Sequence, residues 1–228
     1  MPPSTPNNKS LINNIIEKSS LKQEVYHQTL DKFNIFKQEC EVFVRANKSR
    51  IRKASYPILF EYNDRSAFEF QFKFGSDILI FFMHSNVFEI PRNHLVMKSS
   101  YIQEDKSRSY CGIIHIFNFL ADSFRYNRTN DIGYCIGRIF VNRESHYFTE
   151  GKREIGMFYN NFTSNILDRK AIREIIGSAV QYTLNFDLLT PPYDTIKEVS
   201  VAEMQTTLDA MSISTGKRLG FRFQADAE

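Results

Sequence analysis

Three polar residues have the types and the order that a metal-dependent nuclease uses. Such an enzyme holds its metal ion with carboxylate or amide oxygens, and a nearby lysine helps to activate the attacking water. Asp64, Gln71 and Lys73 supply one residue of each kind within a short stretch. A polar strand face that alternates with phenylalanine produces the same letters, so we expect a structural role and keep the nuclease as an alternative.

A second set of polar residues could hold a metal ion if the chain bends between them. His84, Glu89 and His94 lie close together in the sequence. Metal sites usually show tighter spacings, such as HExxH or CxxC, and neither occurs here. The loops of nucleotide-binding enzymes and the nucleophile elbow of hydrolases are absent too. The sequence therefore favours a protein without catalytic activity, metal or cofactor.

A cluster of cations could bind phosphates or could simply end a helix. Its five members are Arg45, Lys48, Arg50, Arg52 and Lys53. Cations stabilise the carbonyl end of a helix, whereas a dedicated nucleic-acid protein carries a large positive charge. The formal net charge is only +3. We therefore expect these cations to stabilise the end of a helix, and nucleic-acid binding is the alternative.

A long helix and a sheet must position these residues. Apolar residues recur every three or four positions from Tyr26 to Ile51, and no Gly or Pro interrupts before Pro57. This period predicts one helix over residues 21–53, about 50 Å long. A capping box at Ser20–Gln23 predicts that this helix starts there, after a shorter helix that ends near Lys18.

The following segment alternates apolar and polar residues, which is typical of strands. In its clearest part, four phenylalanines at positions 68, 70, 72 and 74 point to the same side of the strand. Turns are predicted at 63–66, 75–77 and 150–152. The predicted strands cover residues 57–63, 67–74, 78–84, 87–90, 110–120, 134–142 and 154–159, with an extension of the strand from 134 to residue 148 as an alternative. The apolar residues in the stretch 113–126 also have helical spacing. The assignment therefore stays open beyond Leu120.

The remaining segment predicts a helix with an apolar stripe from Leu167 to Phe186, capped by Asn165 or Asp168. A shorter helix should follow from Ser200 to about Met211, and residues 216–223 could form a last strand. The fold class is therefore α+β: an antiparallel meander of about five to seven strands, covered by a long N-terminal helix and a C-terminal helix.

The chain should form one domain over residues 10–228, after a flexible tail at 1–9. Residues 10–53 are predicted to be helical, 56–160 mainly sheet and 165–228 helical. Cys40, Cys111 and Cys135 are too far apart to indicate a disulfide framework. Apolar runs are too short to span a membrane, and no signal peptide is recognisable. We therefore expect a soluble, cytoplasmic protein with no membrane partner.

The long helix suggests a partner because it is longer than a small domain is wide. Heptad-like spacing relates four of its residues, Phe33, Phe36, Cys40 and Phe43. We expect these residues to mediate self-association, so that the protein is a non-enzymatic interaction module that binds itself or another protein. A nucleic-acid-binding protein and a binder of an apolar small molecule, with its pocket between sheet and helix, are the alternatives.

Overall fold

A computed structural model of the chain describes residues 8–152, 161–190, 192–202 and 204–205. It contains one seven-stranded antiparallel sheet, and a long N-terminal helix and a later helix pack against one of its faces. This architecture confirms the predicted α+β class.

The sheet is built almost entirely from neighbours in the chain. Its strands are β1 Phe60–Ser66, β2 Glu69–Phe74, β3 Asp77–Met83, β4 Phe88–Glu89, β5 Tyr110–Leu120, β6 Tyr134–Asn142 and β7 Tyr147–Gly151. The order across the sheet is β1-β2-β3-β5-β6-β7, and the short β4 pairs with the start of β5. Short turns between most of these strands force the antiparallel arrangement.

The α-helices with described bounds are α1 Asn8–Ile51, α2 Ser100–Glu104, α3 Ala121–Arg125, α4 Arg169–Leu184 and α5 Tyr193–Ile196. Residues 201–202 and 204–205 are helical too. Two 3₁₀ turns, Leu95–Lys98 and Lys106–Ser109, flank α2. The Asp168 side chain caps α4 by accepting a hydrogen bond from the Ala171 amide at 2.7 Å, as one of the two predicted caps. The open assignment at 113–126 resolves into strand through Leu120 followed by α3.

The predicted break in the N-terminal helix is wrong. Residues 8–51 form one helix that passes through Ser19 and Ser20 without interruption. A serine inside a helix costs only a few tenths of a kcal/mol, and neither Gly nor Pro opposes continuation. Asn8 and Lys9, predicted to belong to a flexible tail, are part of this helix.

The face of the sheet toward α1 and α4 contains the predicted phenylalanine row. Phe70 and Phe72 are 0% exposed, and the ring of Phe70 stacks on that of Phe81 with centroids 4.5 Å apart. Phe33 and Phe36 of α1 cover this pair, at 5.5 and 5.9 Å from Phe70 and Phe81 respectively. The helix thus covers the phenylalanine face, as expected.

Close approach of α1 to β5 depends on a glycine. A Cβ atom added at Gly112 would lie 2.2 Å from Oγ1 of Thr29, far inside contact distance. The Thr29 hydroxyl donates to the carbonyl of Val25 at 2.7 Å. Gly112 therefore lets the helix backbone settle onto the centre of the sheet.

The described residues cover the opposite face of the sheet, here called the outer face, at one end only. A second apolar cluster closes this end, and it includes Ile90, Tyr101, Ile102, Cys111, Ile113, Phe140, Phe148 and Phe162. The segment 103–109 begins with the end of α2 and continues into a 3₁₀ turn beside this cluster.

Two predicted turns are misplaced by a few residues. β1 continues through Ser66, so the predicted turn at 63–66 lies inside a strand, and the hairpin turns at Ala67 and Phe68 instead. Glu150 and Gly151 belong to β7. The predicted strands at 154–159 and 216–223, and the end of the helix predicted from Ser200, lie outside the described residues.

Candidate functional site

The three residues of the nuclease hypothesis do not converge. Asp64 pairs across the sheet with Phe70 and lies on the helix-covered face, where its carboxylate accepts from Lys37 Nζ at 2.7 Å. Successive side chains of a strand point to opposite faces of the sheet. Since Phe70 and Phe72 point toward the helices, Gln71 and Lys73 point to the outer face. The Gln71 amide donates to Glu69 at 3.0 Å. The structure therefore does not bring the three side chains to one site.

The three residues of the metal hypothesis also have separate partners. His84 accepts from the Asn86 amide at 3.0 Å, and Glu89 accepts from the Tyr110 hydroxyl at 3.1 Å. His94 contacts Glu150 at 3.2 Å. Among the described residues, no group of three or more His, Cys, Asp or Glu side chains could hold a metal ion.

The thiols differ in exposure. Cys40 and Cys111 are buried, and burial raises the pKa of both far above the ordinary value. Cys135 is exposed on the outer face. Partial burial raises its pKa as well, so it is a weak nucleophile at neutral pH.

Three of the four residues assigned to self-association lie in the chain's own core. Phe33, Phe36 and Cys40 are 0% exposed beneath α1, so they cannot contact a second copy while the monomer keeps this fold. Phe43 is 44% exposed. The same apolar period fits burial against a sheet and contact with a partner helix, and in this chain it packs three of the four residues against the sheet.

The surface that extends beyond the sheet is the first part of α1. All residues from 8 to 20 are exposed, and the first buried residue is Val25. This segment, the α1 overhang, is about 20 Å long. Near its end, Lys18 Nζ donates to the Tyr110 hydroxyl at 2.5 Å.

The α1 overhang carries four aliphatic side chains exposed to water. They are Leu11, Ile12, Ile15 and Ile16, with 45%, 53%, 52% and 58% of their surface exposed. Their spacing places them on one side of the helix. We call them the aliphatic stripe. The sequence shows this stripe, but only the structure shows that no element covers it within the described residues.

A groove between α1 and α4 is the second notable surface. It encloses about 410 Å³, within the usual range for ligand pockets. Each helix contributes residues at successive turns: Glu39, Val42, Phe43, Ala46 and Asn47 from α1, and Arg173, Ile176, Gly177, Val180 and Gln181 from α4. This groove lies between two helices, whereas the small-molecule alternative placed its pocket between sheet and helix.

The walls of this groove are apolar, and one end is charged. Val42 is 59% exposed, and one side of Phe43 packs on the rings of Phe60 and Phe72. At the charged end, Glu39 accepts hydrogen bonds from Arg169 at 2.6 Å and from Arg173 at 3.1 Å.

The Glu39 carboxylate stays ionised although it is only 8% exposed. Its burial alone would raise the pKa, but the hydrogen bonds from Arg169 and Arg173 outweigh that effect and lower the pKa below its ordinary value. The two arginines remain more than half exposed. This end of the groove therefore carries one more positive than negative charge.

The uncovered part of the outer face carries a strip of aromatic rings. Their contacts run from Phe88 to His84, then to Phe82, His115 and Phe117. A cavity of about 550 Å³ adjoins this strip and includes Arg138 and Glu150, which form an ion pair. Burial, with smaller effects from Arg138 and His84, lowers the pKa of His115, so this ring is neutral at pH 7.

The basic cluster lies elsewhere. Its members, between residues 45 and 53, are all exposed at the end of α1, which packs on the other face of the sheet. The aromatic strip and the cations therefore do not form one continuous nucleic-acid surface. Arg45 is paired with Glu41 at 2.6 Å.

No helix in the described ranges combines the length and hydrophobicity that a membrane crossing requires. Comparison with family models, with curated proteins and with solved structures gives no match to this chain.

Proposed function

We propose that this protein is a non-enzymatic, cytoplasmic interaction module that associates with a second copy through the α1 overhang. The observation that carries the proposal is the aliphatic stripe, which exposes four large side chains on a helical segment without support from the sheet. Unsupported helices of this length are marginal in water, and partner contact would stabilise the overhang.

An antiparallel pair of overhangs fits the order of side chains along the stripe. Leu11 and Ile12 of one copy then face Ile16 and Ile15 of the other. The arrangement is isologous and closes at two copies.

The expected affinity is modest. Full burial of a Leu or Ile contributes about 1.5–3 kcal/mol, and these side chains are already about half covered. Eight of them in a pair contribute about 8 kcal/mol, and the entropy lost on association offsets much of this. We therefore expect a weak dimer, with a dissociation constant of about 1 mM or higher.

Sedimentation equilibrium across a wide range of protein concentration tests the proposal. The wild type should shift from monomer to dimer, and the double variant Ile12→Glu, Ile15→Glu should stay monomeric. The matched control, Ser10→Glu, Asn13→Glu, adds the same charges to the other side of the overhang and should still dimerise. A dimer that survives the first pair of changes would refute the proposal, as would a wild type that is monomeric throughout.

The cytoplasmic part of the proposal is supported by the thiols, since Cys40, Cys111 and Cys135 are all free. A reducing compartment maintains this state. Secretion of the protein in cells would contradict it, and fractionation of a tagged chain measures this directly.

Nucleic-acid binding is the second candidate, and one observation favours it. Within the part of the chain that the structure describes, Lys48, Arg50, Arg52 and Lys53 form no ion pair with a carboxylate. Fluorescence anisotropy with a labelled DNA oligonucleotide should then show salt-dependent binding that Arg50→Glu, Arg52→Glu abolishes. Equal anisotropy for both proteins would leave these cations as the end of a helix.

A further inference from the structure

We propose that the groove between α1 and α4 binds an aliphatic chain that carries an anionic head group. Its walls supply apolar contact for the chain, and the arginines at the Glu39 end supply the charge that selects the head group. This ligand site does not depend on the α1 overhang, which lies some seven turns away along the helix.

The first argument is the exposure of the groove walls. Val42 and Phe43 present 59% and 44% of their surface to water, and both line the same cavity as the half-buried Val180. Large apolar side chains that converge on one concave site, with few polar groups, are typical of small-molecule sites.

The second argument is a glycine in the middle of α4. Gly177 lies on the floor of the groove, and glycine is the least favourable residue inside a helix apart from proline. A Cβ atom placed there would meet no atom within 4 Å, so packing within the chain does not require the glycine. A ligand in the groove would explain the glycine, because a larger side chain at position 177 would occupy the space that the ligand needs.

The third argument is the charge at one end. Glu39 neutralises one of its two arginines, and 60% of the Arg173 side chain is exposed while it also lines the groove. A guanidinium presents several donors in a planar fork that suits a carboxylate or a phosphate. The head group of the ligand would therefore lie beside Arg173, with its chain running past Ala46 toward Asn47 and Gln181.

Calorimetric titration with decanoate, below the concentration at which it forms micelles, tests this site. The wild type should bind one decanoate per chain. Gly177→Leu fills the groove and should abolish the binding, and Gly177→Ala should weaken it by a smaller factor. Both variants should raise the unfolding temperature, which shows that the loss does not come from misfolding. Glu174→Leu places the same leucine one turn earlier and outside the groove, and should bind like the wild type.

The head-group specificity is tested with 1-decanol and with Arg173→Gln. We expect the wild type to prefer decanoate over decanol by about tenfold, as for a charge-assisted contact, and Arg173→Gln to remove this preference. Equal binding of the acid and the alcohol by the wild type would overturn the anionic part of the proposal. Absent binding of decanoate, or equal binding by Gly177→Leu, would overturn the site.

Sedimentation of the same variants separates this proposal from self-association. Gly177→Leu should leave the monomer–dimer equilibrium unchanged. If it instead abolished the dimer, the groove would be a protein interface, and the ligand proposal would be wrong. If the dimer were absent in every variant while decanoate still bound, only the self-association proposal would fail.

Discussion

Two parts of α1 carry apolar stripes with similar spacing and opposite exposure. Leu11, Ile12, Ile15 and Ile16 of the overhang are 45–58% exposed, whereas Phe33, Phe36 and Cys40 are 0% exposed. The later part lies over the sheet, and the earlier part extends past it. Helical period thus indicates that a face is apolar, but the extent of the neighbouring layer decides whether the face is buried.

The largest expected effect contrasts the two parts directly. Phe33→Ala should destabilise the protein by about 3–5 kcal/mol, because it leaves a cavity between α1 and the ring of Phe70. Ile15→Ala should change the free energy of unfolding by less than about 0.5 kcal/mol. Urea denaturation at low protein concentration measures both. Similar losses would mean that the overhang packs as tightly as the rest of the helix.

A smaller effect tests how closely the later part of α1 approaches the sheet. Gly112→Ala should cost about 1–3 kcal/mol, because the new methyl group overlaps the side chain of Thr29. Adding Thr29→Ala removes two of the three clashing atoms, so the double variant should recover part of the loss. A double-mutant cycle quantifies the coupling. Strictly additive effects would show that the two elements do not touch at this point.

The smallest effect concerns the ion pairs that join α1 to α4. Glu39→Gln should cost about 1–2 kcal/mol at pH 7, since the arginines are partly screened by water. Because the folded-state pKa of Glu39 is lowered, this stabilisation is present above the ordinary pKa of about 4.3 and is lost as pH falls through the folded value. Unfolding midpoints from pH 7 to pH 3 should therefore converge for wild type and variant.

The control for that series is Glu41→Gln. Its ion pair with Arg45 is exposed on the surface of α1, so the change should cost less than about 0.5 kcal/mol at any pH. If Glu41→Gln lost as much stability as Glu39→Gln, with the same pH dependence, the hydrogen bonds from Arg169 and Arg173 would not be the cause of the Glu39 effect.

Local patterns predicted much of the fold. β5 and β6 have their predicted bounds because alternation and β-branched content act within the strand itself. The predicted capping box failed because its signal is compatible with the interior of a longer helix. Turn positions shifted at Ser66, where no glycine or proline fixes the reversal.

The candidate sites were harder to predict because they depend on contacts between distant segments. Asp64 and Gln71 are close in sequence, but strand pairing places them on opposite faces of the sheet. The groove joins Phe43 to Gly177, which no local pattern relates. A glycine in the middle of a predicted helix, outside its apolar stripe, was the one available signal for it.

The continuity of α1 also has a consequence for how the chain reaches its fold. Its stripe around Phe33 is synthesised before every strand that buries it, since the sheet begins at Phe60 and β6 ends at Asn142. During translation, the nascent helix must therefore remain without its native cover while the strands are still being made. Most of its contacts are long-range, so they close slowly. Chaperone binding during synthesis should concentrate on this helix.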